Sequence, residues 1–147
     1  MIAVTNRLAL ETVRSPQFID ITQDVLAFAR HVRIQNGIIV AFSRHTTAAI
    51  KINENEPLLL EDLKDLLKSL APREEYYRHN DFDIRTVNMH PNEPKNGHSH
   101  CQHLMLGTSE TIPLISGNLQ LGEWQSVFLI ELDESRDRRV TVSIVGM

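Results

Sequence analysis

From Thr111 to Val145 the apolar residues come in short runs cut by two turn signals, Ser116-Gly117-Asn118 and Asp133-Glu134-Ser135. That punctuation favours antiparallel strands joined by hairpins, so Thr111 to Ile115, Leu119 to Leu132 and Arg138 to Val145 are expected to form a meander. The first half adds further strands. Leu8 and Leu10 alternate with polar or small residues between Arg7 and Thr12, Gln17 to Thr22 reads as a short strand, and Gly37 to Phe42 is an apolar, β-branched run. That last run leads straight into Ser43-Arg44-His45-Thr46-Thr47, which places polar chemistry at a strand end.

Two main helices are expected among the strands. Thr22 is positioned to cap the first, which runs to Arg33 with Val25, Leu26, Ala29 and Val32 on one face and Asn36-Gly37 as its stop. Pro57 stands in the first turn of the second, whose leucines at 59, 60, 63, 66, 67 and 70 form one stripe before Ala71-Pro72 ends it. His100, His103 and Leu104 have helical spacing, and Gly107 closes that short piece. With some seven strands, the pattern is that of an α+β domain of packed, mostly antiparallel β-sheets. A chain of 147 residues with 41% hydrophobic content and no internal repeat or linker is expected to make one domain over 1–147.

A formal net charge of −4 argues against general nucleic-acid binding. No run of some eighteen apolar residues is present, so no membrane partner is expected. Cys101 is the only cysteine, which excludes an intramolecular disulfide framework and fits a cytoplasmic location. Beside His100 it resembles a thiol nucleophile, but no orienting carboxylate is evident and a buried, inert cysteine is expected.

Chemistry concentrates in the histidines. His98, His100 and His103 lie within six residues, while His45 and His79 each stand in a polar turn. Imidazoles converging from separate segments can build a catalytic zinc site with one position open, yet no His-Glu-x-x-His or paired-cysteine motif accompanies them. His31 and His90 lack such neighbours and read as ordinary surface or core residues. The polar stretch from Arg73 to Asn96 is long for a loop inside one domain and is expected to be functional. Thr46 and Thr47 either hydrogen-bond a phosphate or satisfy a strand end. Glu54 and Glu56 either complement a helix dipole or, for Glu54, act as general base or metal ligand. Arg136 and Arg138 project to one face if strand geometry holds there, where they would clamp an anion, with Arg139 facing away. Trp124 is expected in the core or a subunit interface, and Gln125 would be a costly buried amide without a partner. No Gly-x-Gly-x-x-Gly or Walker loop is present.

Several segments recur in order with a known pattern: His45-Thr46-Thr47-Ala48-Ala49-Ile50, Ile52-Asn53-Glu54-Asn55, Tyr77-Arg78-His79-Asn80 and Asn96-Gly97-His98-Ser99-His100. Gly117-Asn118-Leu119-Gln120-Leu121-Gly122, Trp124-Gln125, Asp133, Arg136 and Arg138 continue it. Together these resemble the YjbQ-like family, the secondary thiamine-phosphate synthase family, over almost the whole chain. The resemblance implies a homotrimer and a histidine-lined pocket holding a divalent metal, Zn or Mg, on His45, His79 and His100, with His98 a less certain fourth. The implied activity is a weak synthesis of thiamine phosphate; a zinc-dependent hydrolase using Glu54 and a non-enzymatic metabolite- or metal-binding protein are the alternatives. With that synthase activity, a small phosphorylated metabolite is expected to be bound by Thr46, Thr47, Asn96, Gln125, Arg136 and Arg138, with Glu54, Arg136 and Arg138 as the candidate catalytic residues. Two positions depart from the family pattern: Glu123 where threonine is usual, and Glu134-Ser135 where Gly-Pro is usual.

Overall fold

The computed structural model describes residues 1–147. Two antiparallel sheets account for all eight strands. The first sheet has the order β1 (Ile2–Glu11), β8 (Asp137–Gly146), β3 (Gly37–Ser43), β5 (Ser109–Ile115), β6 (Asn118–Leu119). The second has the order β2 (Gln17–Asp20), β7 (Gln125–Glu131), β4 (Ala48–Glu54). Three helices complete the fold: α1 (Thr22–Val32), α2 (Pro57–Leu70) and α3 (Gly97–Leu106), with a short 3₁₀ turn at Arg78–Asn80. The α+β class expected from the strand and helix patterns is the class observed.

Alternation along β7 explains the layering. Val127 and Leu129 face a core shared with β3, β5, β8 and α1, while Phe128 and Ile130 face a second cluster with Leu67 of α2. Residues 127–131 are therefore buried on both faces, like a strand of a covered sheet. Each such aliphatic or aromatic side chain contributes roughly 1.5–3 kcal/mol by leaving water. Helices α2 and α3 lie over the outer face of the small sheet, and α3 thereby brings its histidines to the end of β4 and β7 where Thr47 and Glu131 stand.

Four expectations need correction. The run from Leu119 to Leu132 is not one strand of a meander: the chain leaves the large sheet after Leu119 and enters the small one at Gln125. A tight turn makes the switch, with the Gln125 N–H donating to the Gly122 carbonyl at 3.0 Å and the Gly122 N–H to Gln125 Oε1 at 2.8 Å. Gln125 is thus an exposed, satisfied amide, and Trp124 is 67% exposed, which excludes the core and leaves the subunit-interface alternative of that expectation. Second, Ala48–Glu54 forms a strand that the expected strands omit, although Ile50-Lys51-Ile52-Asn53 alternates apolar and polar residues with strand period. Third, Thr22 does not cap α1. Its hydroxyl binds Asp20 Oδ1 and accepts from the Val127 amide, and Arg33, at φ 62°, ends the helix before Asn36-Gly37. Fourth, Cys101 is exposed.

The start of α2 is held by Glu56, whose carboxylate accepts from Leu58 N at 3.0 Å and Leu59 N at 2.6 Å. Glu56 is therefore a helix cap, and Glu56→Ala is expected to cost about 1 kcal/mol in urea unfolding, the usual cost of removing a cap.

Candidate functional site

The long polar segment between α2 and α3 folds against the α3 end of the small sheet and leaves a cleft of about 710 Å³. Its walls come from four places: Thr46 and Thr47 before β4, His79 and Arg85 to Pro94 of the segment, Asn96 and His100 at the start of α3, and Glu134 and Arg136 before β8. Only one wall residue is apolar.

At its centre His79 and His100 meet edge to face with ring centroids 4.5 Å apart. His79 Nε2 is buried and has no hydrogen-bond partner. Burial, and secondarily the His79 charge, lowers the His100 pKa below its ordinary 6.5, so this imidazole is neutral at pH 7. Gly97 allows the two segments to approach so closely: a Cβ there would lie 2.5 Å from Tyr77 Cβ.

Arg85 organises the cleft's outer wall. Its guanidinium donates to the carbonyls of His79 (3.2 Å), Val87 (3.3 Å) and Asn88 (2.8 Å) and pairs with Glu93 at 2.9 Å. No motif marks Arg85, Asn88, His90 or Glu93; only the length and polarity of the loop pointed to them.

The arginines do different work from that expected. Asp137 opens β8, so Arg136 lies outside the strand and Arg138 takes an inward position with Val140, Val142 and Ile144. Arg138 is 2% exposed and binds both oxygens of the fully buried Glu131 and the Thr47 hydroxyl (3.0 Å). Glu131 also accepts from the Thr12 hydroxyl and the Leu132 and Asp133 amides. The anion clamp of two arginines on one strand face is therefore not formed: Arg138 is a structural residue. Arg136 does line the cleft, held by Asp133 and Glu134, with its Nε buried and unpartnered. Asn96 Nδ2 donates to the same Asp133 carboxylate at 2.8 Å.

A match to the family described as UPF0047 protein YjbQ-like covers residues 6–147. The chain belongs to the YjbQ-like family. It is 42% identical over 142 residues to a UPF0047 protein of Methanothermobacter thermautotrophicus, covering 97% of this chain and 92% of the relative. A YbjQ-like protein of unknown function from Sulfolobus solfataricus superposes with a TM-score of 0.89 at 33% identity, covering 99% of both chains. A YjbQ/UPF0047 family protein from Clostridium acetobutylicum does so at 0.83, also at 33% identity, covering 95% of this chain and 99% of the other.

Against the YjbQ-like expectations, the single chain brings Thr46, Thr47, His79, Asn96, His100 and Arg136 to one cleft. It does not bring the rest. His45 Nε2 accepts from the Arg139 amide at 2.9 Å, and the residue is not part of the cleft wall. His98, about 200° around α3 from His100, is buried on another side. Glu54 and Gln125 pair with each other at the far end of β4 and β7, six residues from the Ala48–Glu131 pair, or about 20 Å. No group of three or more His, Cys, Asp or Glu is arranged to hold a metal in one chain. Two imidazoles fit such an ion; a closed three-ligand protein set is not assembled within the protomer. No helix is long and apolar enough to cross a membrane.

Proposed function

We propose that the cleft takes a small phosphorylated metabolite together with one divalent metal ion, Zn or Mg, and that the chain is a small cytoplasmic enzyme with weak thiamine-phosphate synthase activity. The observation carrying this reading is the His79–His100 pair, two cleft-lining imidazoles in contact, one of them with a buried, unpartnered Nε2. A neutral imidazole is the form a metal binds, and an unpartnered buried nitrogen is costly unless something occupies it. His79 and His100 would hold the ion, with water or substrate phosphate oxygens completing its shell. When bound, it supplies charge neutralisation for a diphosphate leaving group.

The chain's own residues do the positioning. Arg136 presents its part-exposed guanidinium charge to an anion, Thr46 and Asn96 add polar contacts, and Arg85 keeps the His79 segment in place. Glu54 and Gln125 lie too far from the histidines to act on the same bound molecule within one protomer. The hydrolase reading therefore loses its base. A homotrimer, which the family resemblance implies, is the arrangement in which a neighbouring copy supplies that end of the sheet.

Equilibrium dialysis with Zn and Mg, on the parent protein and on His79→Ala and His100→Ala, tests the site. One ion per chain is expected for the parent and a clear loss in both variants, with His31→Ala as the unaffected control. Light scattering on the same samples should return three chain masses. Rescue of thiamine-requiring cells by the parent and not by His100→Ala tests the reaction. Equal rescue by both would separate the reaction from the histidine pair, and rescue by neither would move the chain to the non-enzymatic reading.

A further inference from the structure

A second cavity, of about 190 Å³, lies away from the cleft and is walled by Ser15, Pro16, Lys68, Arg73, His98 and Gln102. None of its residues belongs to the sheets: Ser15 and Pro16 lie in the loop between β1 and β2, and the rest come from the end of α2, the segment after it and α3. His98 and Gln102 stand four apart on α3 and so share a face, and each is 3% exposed.

Both side chains leave an acceptor bare. The Ser99 hydroxyl gives its one proton to the Leu132 carbonyl at 2.6 Å, so its 3.1 Å contact with His98 Nε2 requires the imidazole to donate. In the neutral ring Nδ1 is then a lone pair, and it is buried without a partner. Gln102 donates its amide protons to the Leu67 and Ala71 carbonyls at 2.9 and 3.1 Å, and its Oε1 is likewise buried and unpartnered. Each bare acceptor costs about 1–3 kcal/mol unless a donor arrives. The same cavity carries two cations. Lys68 is paired only with Asp65, at 3.5 Å on the exposed surface, and Arg73 donates to the Asp133 carbonyl. Of the two carboxylates whose field reaches His98, Asp133 is held by Asn96 and Arg136, and Glu74 is an exposed residue.

We propose that this cavity binds a small oxyanion with two hydroxyl groups, of the dihydrogen phosphate type, its charged oxygens on Lys68 and Arg73, one O–H donating to His98 Nδ1 and the other to Gln102 Oε1. Either feature alone selects less sharply. Cations accept any anion, and bare acceptors accept any donor. Together they favour an oxyanion that keeps protons near neutral pH, and they disfavour sulfate, which has none to give.

The test is a titration of the full-length, ¹⁵N-labelled protein with inorganic phosphate near pH 7, following the imidazole nitrogens. His98 reports this cavity and His79 and His100 report the cleft, so the two sites are read separately; His98→Gln assigns the resonance. A saturable shift of the His98 nitrogens is expected, with sulfate binding about tenfold or more weaker because it leaves both acceptors unpaired. Lys68→Ala, a substitution on the exposed side of α2, is expected to weaken phosphate about tenfold, the usual worth of one charge-assisted hydrogen bond. Unshifted His98 nitrogens, sulfate as tight as phosphate, or an unchanged affinity in Lys68→Ala would each overturn the assignment.

Discussion

Replacing Arg138 with methionine is expected to cost about 3–5 kcal/mol in urea unfolding, because it strands the Glu131 carboxylate in the interior. Glu131 is completely buried and Arg138 is its only cationic partner, so no solvent is at hand to take over. That cost is a large part of the 5–15 kcal/mol that holds a typical domain together. The pair also ties four places in the chain: Thr12 at the end of β1, Thr47 before β4, the end of β7 and the start of β8. The control is Glu131→Gln with Arg138→Met. Glutamine removes the charge, its one oxygen stays with the Leu132 and Asp133 amides, and its NH2 can donate to the Thr12 hydroxyl, whose own proton turns to the Arg136 carbonyl, so the double variant should regain most of the loss. A double variant as unstable as the single one would show that the stranded charge is not the cause.

Acid unfolding provides an independent reading of the same pair. Burial pushes the Glu131 carboxyl up, but Arg138, Thr12 and the Asp133 amide together outweigh it and hold the group below the ordinary 4.5. A carboxyl lowered in the folded state contributes stability that is full above its unfolded pKa and is lost as pH falls through the folded value. The parent should therefore hold its Glu131 contribution to about pH 4.5 and lose it below. In Arg138→Met the sign reverses: the unpaired buried carboxyl titrates above its unfolded value, so acidification toward that value relieves the variant. Stability curves from neutral to acid pH for the two proteins should converge.

Gly97→Ala is expected to damage the candidate site more than its size suggests. The new Cβ would fall 2.5 Å from Tyr77 Cβ and 2.7 Å from Tyr77 Cγ, inside any real carbon contact, and the Tyr77 Cβ is fixed to the backbone so no rotamer change can remove it. The backbone must part, and overpacking of this kind costs about 1–3 kcal/mol. The parting separates the segment carrying His79 from the helix carrying His100. Gly97 N–H also donates to Asn80 Oδ1 at 2.9 Å, a second tie across the same gap. The expected result is a lower melting temperature and a fall in metal affinity of about tenfold or more, since a 1 Å misplacement of a site is costly. Gly117→Ala serves as the comparison: its strain is local to the turn at φ 74°, far from the histidines in the β5–β6 hairpin, so stability falls while metal binding does not. Unchanged affinity in Gly97→Ala would mean that the two histidines do not act as one site.

The family motifs point to the histidine and threonine segments by residue type and order, but distances between segments belong to the tertiary structure. His98 and His100 illustrate the limit. They are two residues apart in a His-rich run, yet a helix turns them about 200° from one another, so one lines the cleft and the other a separate cavity. Read as a list, the run looks like a ligand cluster; folded, it is divided.

The sequence by itself determined the α+β class, the positions of α1 and α2 and most strands, because period and turn chemistry are local properties of neighbouring residues. It also carried the family, through motifs spread along the chain. Only the tertiary structure decided which sheet each strand joins, that Arg138 turns inward to Glu131 while Arg136 stays at the cleft, and that Glu54 and Gln125 stand about 20 Å from Thr47. The reason is the same in each case. A charge or an amide reads alike in sequence whether it meets water or a buried partner, and that partner is chosen by packing between segments far apart in the chain.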